Sequence, residues 1–454
     1  MYMASIDHKN WMVESPFLSK MNLGSLRFRV STDRYYDKEY HASERTNLWM
    51  RVWQIVGRVD EIPTPGDWLE YRLFDQSWLV VRGRDGIIRG FVNACRHRGN
   101  RLGHHKGQSA RFHCPYHNWS FGLDGTLIGV AKPDFEGSLE EFVGSKESLG
   151  LLEVPVECFG GFLFLNPDVN APPLKEFLGE AYEALSAYPL EHMTPVGINV
   201  RERVECNWKV ILDAFGEGYH TQGVHRELIG VVDLQKERFK AFGLHSASTT
   251  PFGKPDFENF ETARAIDEIL QIPISHFPGF IDVLPRFKAS VDHFLTPEGN
   301  YALPGGTTPT SLLRDAVREN LESYGLDVSK LDDSQMTDYQ FWLLFPNVFL
   351  QLCAGEATLI IAEPDPMGDP NRCFWRVMTM RCLSPNATSD VRAELIDMPE
   401  GEHFPYFLAL QQDFEQMAIQ QDGLRNTTLK ELSLTRQEPR VANFHGALDS
   451  WMNR

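Results

Sequence analysis

The chain has 454 residues, 62 acidic against 44 basic side chains, and a net charge of -18. That length supports two or three domains with large cores, whereas the acidity argues against nucleic acid bound through its phosphates. No stretch of about 18 apolar residues marks a membrane span. The opening MYMASIDHKN lacks the basic start and apolar core of an export signal, and the seven cysteines are scattered, so a cytoplasmic protein with reduced thiols is expected.

Residues 1–45 are polar and mixed, and a helical arm is expected there. Residues 46–168 read as all-β, because short apolar runs such as Trp78-Leu79-Val80-Val81 and Gly90-Phe91-Val92 alternate with Gly, Pro and Asp turns. Asn170-Ala171-Pro172-Pro173 reads as a linker. Residues 169–454 then mix predicted helices over 174–187, 315–324 and 404–421 with strands over 358–361 and 374–378. The whole chain is therefore expected to be α+β.

Two thiol–imidazole pairs recur inside the β region, Cys95-Arg96-His97 and, sixteen residues on, Cys114-Pro115-Tyr116-His117. Chance gives both motifs at this spacing only about 0.003 times in such a chain, so a metal site is expected. Two chemistries fit: a Cys2His2 zinc site, or a 2Fe-2S cluster in which one iron takes two Cys and the other two His. Zinc fingers usually offer both thiols first and both imidazoles later, whereas each loop here carries one of each.

A second candidate centre lies in NWKVILDAFGEGYHTQGVH, from Asn207 to His225. His220 and His225 would stand about 140° apart on a regular helix and share no metal. Gly216, Gly218 and Gly223 let the helix open or end, which allows the two imidazoles to converge.

CRHRGNRL and CPYHNWSFGLDGTL resemble the two cluster loops of Rieske domains, and the Asn207–His225 stretch is similar to the mononuclear iron motif of Rieske non-heme iron oxygenases. The chain thus resembles the large (alpha) subunit of the ring-hydroxylating dioxygenase family. The resemblance implies a Rieske 2Fe-2S cluster held by Cys95, His97, Cys114 and His117, and a mononuclear Fe(II) held by His220, His225 and a carboxylate. Asp413 is the expected carboxylate, because Gln421, Gly423 and Leu424 follow it at the family's offsets; Asp422 is the rival. Glu217 is implied to bridge His220 to a cluster His of a neighbouring subunit. Two departures stand out: Asn118 occupies a position that is usually Gly, and Glu217 one that is usually Asp, although members acting on quaternary ammonium compounds are similar in using Glu.

The implied architecture is an N-terminal arm over 1–45, a Rieske domain over 46–168, and a helix-grip catalytic domain over 169–454, in which a curved antiparallel sheet wraps a long helix. Phe215, Tyr219, Val224 and residues 341–347 are expected to line or back an apolar pocket, with the aromatic-rich stretch between Leu228 and Tyr339 as a lid. The implied reaction is mono- or cis-dihydroxylation of an apolar aromatic or polycyclic compound by dioxygen. The alternative is O- or N-demethylation or oxidation of a quaternary ammonium compound. With no GxGxxG after a strand and no P-loop, the two electrons are expected from a ferredoxin or flavin reductase. A homotrimer, in some members with a small beta subunit, is implied because cluster and iron of one chain lie too far apart. Two further classes stay open, a pure electron-transfer Rieske protein and a zinc-stabilised binding module.

Overall fold

The structure, a computed structural model, describes residues 26–130, 146–226, 234–252, 266, 282–387 and 391–454. The chain divides into two compact units, one of them Ala42–Phe177 with Pro366–Gly368 and the other built on Leu178–Asp365 and Asp369–Arg454.

The first unit is a set of antiparallel sheets, as its alternation of apolar runs and turns requires. Five strands order as Glu153–Val154, Ile88–Val92, Gln76–Arg82, Asp67–Leu73 and Lys106–Gln108. Three more, Val156–Phe159, Phe162–Leu165 and Gln54–Arg58, form a second sheet, and short strands at Phe112–His113, Ser120–Phe121 and Leu127–Gly129 a third. Leu79, Val81, Phe91, Phe112 and Phe121 pack into one core that also takes in Cys95 and Cys114. The predicted linker packs onto this unit, because Trp53 Nε1 donates to the Pro172 carbonyl (2.9 Å) and Glu157 accepts from the Leu174 amide (2.9 Å).

The second unit is built on an eight-stranded sheet ordered Arg238–Phe242, His245–Thr250, Tyr339–Leu344, Val348–Cys353, Glu356–Pro364, Cys373–Cys382, Met193–Val204 and Ile396–Asp397. All neighbours are antiparallel except the last pair. The helix Trp208–Phe215 lies across the three central strands from Val348 to Cys382, and the helix Leu408–Leu424 packs against it. Trp208, Trp342 and Trp375 are fully buried in this unit. Each such side chain stabilises the fold by roughly 2–3 kcal/mol through removal of apolar area from water.

Local chemistry moves several predicted boundaries. The expected helix over 174–187 is two short helices, Leu174–Leu178 and Glu180–Leu185, because Gly179 between them adopts φ +55°. The helix expected at 315 begins at Pro309, since Thr308 Oγ1 accepts from the Ser311 amide (3.1 Å) and Pro309 fits the first turn. The helix expected at 404 begins at Leu408, because the preceding residues are drawn to the buried Glu202: His403 Nδ1 bonds its Oε1 (2.7 Å) and the Tyr406 hydroxyl donates to its Oε2 (2.8 Å). The expected helical arm opens, within the described residues, as a strand at Arg29–Ser31 paired with Glu431–Ser433, and becomes helical at Lys38–Glu44. Residues 1–25 lie outside the described residues.

Candidate metal centres

In the first unit the two Cys-His loops share one backbone design. The Cys95 amide donates to the Asn100 carbonyl (2.8 Å) and the Gly99 amide returns to Cys95 O (2.9 Å). The second loop repeats this, with Cys114 N to Trp119 O (2.8 Å) and Asn118 N to Cys114 O (2.9 Å). The fourth residue after each Cys takes a left-handed conformation, φ +75° at Gly99 and φ +59° at Asn118. Asparagine tolerates that region, so Asn118 serves the turn in place of glycine.

These turns put the thiols inside and the imidazoles outside. Cys95 and Cys114 are buried among apolar side chains, whereas His97 is exposed and His117 half-buried. The rings of His97 and His117 stand 4.6 Å apart, and His97 stacks on Trp119. Burial pulls the His97 pKa down, and His117 beside it adds to that shift. That shift favours the neutral His97 imidazole, the form that binds metal. His117 Nδ1 is buried without a hydrogen-bond partner among the described residues. Two inner sulfurs, two outer imidazoles and an orphaned ring nitrogen fit a cluster with one Cys-bound and one His-bound iron.

In the second unit the helix Trp208–Phe215 starts at Asn207, whose side chain accepts from the Lys209 amide, and stops at Gly216. A Cβ at Gly216 would sit 2.6 Å from both Leu212 O and Val441 Cγ2, so only glycine passes there. A short 3-10 turn, Tyr219–Gln222, follows and brings His220 and His225 to a ring separation of 5.1 Å. Asp413 reaches them from the helix Leu408–Leu424 for a simple reason. Gln421 Oε1 accepts from the Asn207 amide (2.9 Å), which fixes the start of one helix beside the end of the other. Eight residues separate Gln421 from Asp413 and eight separate Asn207 from Phe215, about 12 Å on each helix. The antiparallel pair therefore sets Asp413 level with the segment that carries the histidines.

His220, His225 and Asp413 offer ligand atoms that all lie within 4.8 Å of one another. His225 Nε2 is 2.9 Å and His220 Nε2 3.7 Å from Asp413 Oδ1. Both Nε2 atoms face inward because both Nδ1 atoms are engaged elsewhere. His220 Nδ1–H donates to Glu217 Oε1 (2.7 Å), and the His220 amide donates to Glu217 Oε2 (3.0 Å). His225 Nδ1–H donates to Gln412 Oε1 (2.7 Å). Burial lowers the His220 pKa, but the hydrogen bond and charge of Glu217, with the charge of Asp413, outweigh it and leave the pKa raised. The site thus favours a cation. Asp413 is 8% exposed, whereas Asp422 is 77% exposed and paired with Arg425, so Asp413 is the carboxylate that joins the histidines.

These groups open into a cavity of about 650 Å³. Phe215 and Phe341 line it as the sequence led one to expect, whereas Tyr219 is exposed and Val224 lies off the wall. Of the stretch between Leu228 and Tyr339, only Leu234, Glu237 and Thr250 reach the wall among the described residues; most of 253–281, where a lid was expected, lies outside them.

Residues 181–454 match the family described as "Ring hydroxylating alpha subunit (catalytic domain)", and residues 52–141 match "Rieske [2Fe-2S] domain". The chain belongs to the ring-hydroxylating alpha-subunit family. Members carry a Rieske 2Fe-2S cluster and a mononuclear iron; the catalytic-domain match removes the pure electron carrier, and the Rieske-domain match the zinc-stabilised module. The glycine betaine monooxygenase oxygenase subunit of Pseudomonas aeruginosa is 32% identical over 203 residues, 44% of this chain and 46% of that protein. The large oxygenase component of the naphthalene 1,2-dioxygenase system of Ralstonia sp is 36% identical over 197 residues, 42% of this chain and 43% of that protein. The carnitine monooxygenase oxygenase subunit of Escherichia coli is 29% identical over 237 residues, 51% of this chain and 61% of that protein. The chain therefore matches about half the length of these curated relatives. The fold extends further: naphthalene 1,2-dioxygenase from Rhodococcus sp. bound to indole superposes with a TM-score of 0.65 at 18% identity over 94% of both chains. The quaternary ammonium Rieske monooxygenase CntA with L-carnitine gives 0.62 at 17% identity, over 93% of this chain and 95% of that one.

Sequence reasoning missed Gln412, whose signal was only its place beside Asp413. It also missed a buried ion pair in the cavity wall, Arg440 Nη2 to Glu237 Oε1 (3.3 Å), in which Arg440 further donates to the carbonyls of Phe215 and Phe341. Gln412→Leu removes the acceptor that fixes the His225 tautomer. The expected result is iron affinity at this alpha subunit's catalytic site about ten- to a hundredfold weaker, read by titration with Fe(II), with the cluster absorption unchanged.

Proposed function

We propose that the chain is a Rieske oxygenase component that uses dioxygen and two externally supplied electrons to mono- or cis-dihydroxylate an apolar aromatic or polycyclic compound. The observation that carries this reading is the inward-facing His220, His225 and Asp413 in the wall of a largely apolar cavity. Cys95, His97, Cys114 and His117 would hold the cluster, and His220, His225 and Asp413 the iron. When bound, these groups supply single-electron transfer and dioxygen activation. Glu217 and Gln412 hold the two imidazoles in the tautomer that presents Nε2 inward, while Phe215, Phe349 and Ile360 exclude water from the reacting end.

On this reading residues 46–168 are the electron-accepting domain, residues 169–454 the catalytic one, and 1–45 an arm. A ferredoxin or flavin reductase supplies electrons in the cytoplasm. The chain works as a homotrimer, with or without a small beta subunit, in which Glu217 links His220 to a neighbour's cluster histidine. Among the described residues no helix is long and apolar enough to cross a membrane.

A second reading, oxidation of a quaternary ammonium compound or an O- or N-demethylation, is favoured by Glu at 217 and by the glycine betaine and carnitine relatives. A product screen under labelled dioxygen with a generic reductase separates the two. Label in a ring hydroxyl supports the first reading, and released formaldehyde, or a tertiary amine with a carbonyl co-product, the second; no label in any product with electrons consumed contradicts both.

A further inference from the structure

The floor of the cavity is graded along its strands. In register, Phe349 lies opposite Ile360, Gln351 opposite Thr358, and Thr358 opposite Thr379, with Glu356 opposite Arg381 one pair further on. Successive rows on one face are about 7 Å apart. The ring of Phe215, which leads into the histidine segment, stands 5.1 Å from that of Phe349. The floor is therefore apolar at the Phe349–Ile360 row and polar in the next two.

Those polar groups differ in what already occupies them. Thr379 Oγ1 donates to the Val196 carbonyl and accepts from the Ile198 amide (3.0 Å). Glu356 Oε1 accepts from the Tyr339 hydroxyl (3.1 Å), and Arg381 Nη1 pairs with Asp282 (2.9 Å). The remaining charged pair on the wall, Arg440 with Glu237, is closed on itself. Within the two polar rows of the floor Gln351 and Thr358 are the exception: directly opposite each other, both facing the cavity, their side chains have no partner among the described residues.

We infer that Gln351 and Thr358 are specificity-determining residues, and that the substrate is an apolar body bearing a neutral hydroxyl or carbonyl group, which these two side chains hold. The inference rests on the oxygenase reading of the same cavity. A hydroxyl satisfies both partners at once, donating to Gln351 Oε1 and accepting from the Thr358 hydroxyl. A bare hydrocarbon over this row strips water from an amide and a hydroxyl and returns nothing, which a site built for a polar group penalises. An anionic group finds the guanidiniums of Arg381 and Arg440 already paired with Asp282 and Glu237.

Equilibrium titration of the purified holoprotein with biphenyl-4-ol and with biphenyl, followed by tryptophan fluorescence, tests this without turnover. The wild type is expected to bind the phenol about tenfold more tightly than the hydrocarbon, two net hydrogen bonds' worth. Gln351→Leu with Thr358→Val, which nearly conserves shape, is expected to erase that preference, and Thr358→Ser with Gln351 intact to keep it. The visible spectrum of each variant reports whether the fold and cluster survive. Equal affinity in the wild type, no binding of either probe, or an undiminished preference in the double variant overturns the inference. Because the readout is binding, it fails independently of the oxygenase reading, which stands or falls on labelled product.

Discussion

Asp413→Ala is expected to abolish product formation and binding of the catalytic iron while leaving the cluster spectrum intact. Among the described residues Asp413 Oδ1 is the one carboxylate oxygen near both Nε2 atoms, at 2.9 Å from His225 and 3.7 Å from His220. Alanine leaves two imidazoles, and a divalent cation held there would lose the anionic contact that the described residues offer it. Activity is expected to fall by more than about a hundredfold, beyond what loss of an outer partner costs. The cluster loops sit in a separate compact unit and keep their own core. Metal analysis and absorption spectra check both halves. Retention of iron and activity in Asp413→Ala, with loss of both in Asp422→Ala, would mean that the exposed carboxylate is the ligand.

Glu217→Gln is expected to slow turnover by about ten- to a hundredfold with the catalytic iron still bound in excess Fe(II). Both carboxylate oxygens of Glu217 accept from His220, one from the ring and one from the amide. A glutamine has one oxygen and one NH2, so whichever way it turns, a donor faces a donor. The imidazole loses either its tautomer or its anchor. If Glu217 also links to a neighbouring subunit's cluster histidine, the defect falls on electron transfer. Single-turnover stopped-flow of the prereduced protein with substrate and dioxygen then shows the reduced cluster persisting. Reoxidation at the wild-type rate would place the electron path elsewhere.

Much of this was legible because it is local. The two Cys-His loops each close within a few residues, so their spacing in sequence is their spacing in space, and even the odd residue Asn118 is explained by one dihedral angle. The glycines at 216, 218 and 223 marked where a helix had to end. Asp413 was reached only through a family resemblance. Its physical cause, the Gln421–Asn207 bond that aligns two antiparallel helices, spans 214 residues and leaves no local pattern. Gln412, the Arg440–Glu237 pair and the Gln351–Thr358 pair were invisible for the same reason. Each is an ordinary polar residue until the sheet and helices bring its partner. Helix starts moved where a capping threonine or a buried Glu202 outweighed the apolar period.

One chain is expected to carry both a Rieske cluster and a separate catalytic iron. Iron and acid-labile sulfide determined on the same purified sample, alongside zinc, test it most directly. The expected content is about three irons and about two sulfides per chain with negligible zinc, falling to about two irons in Asp413→Ala with sulfide unchanged. Zinc in place of iron, or two irons in the wild type with none lost in the variant, would contradict it.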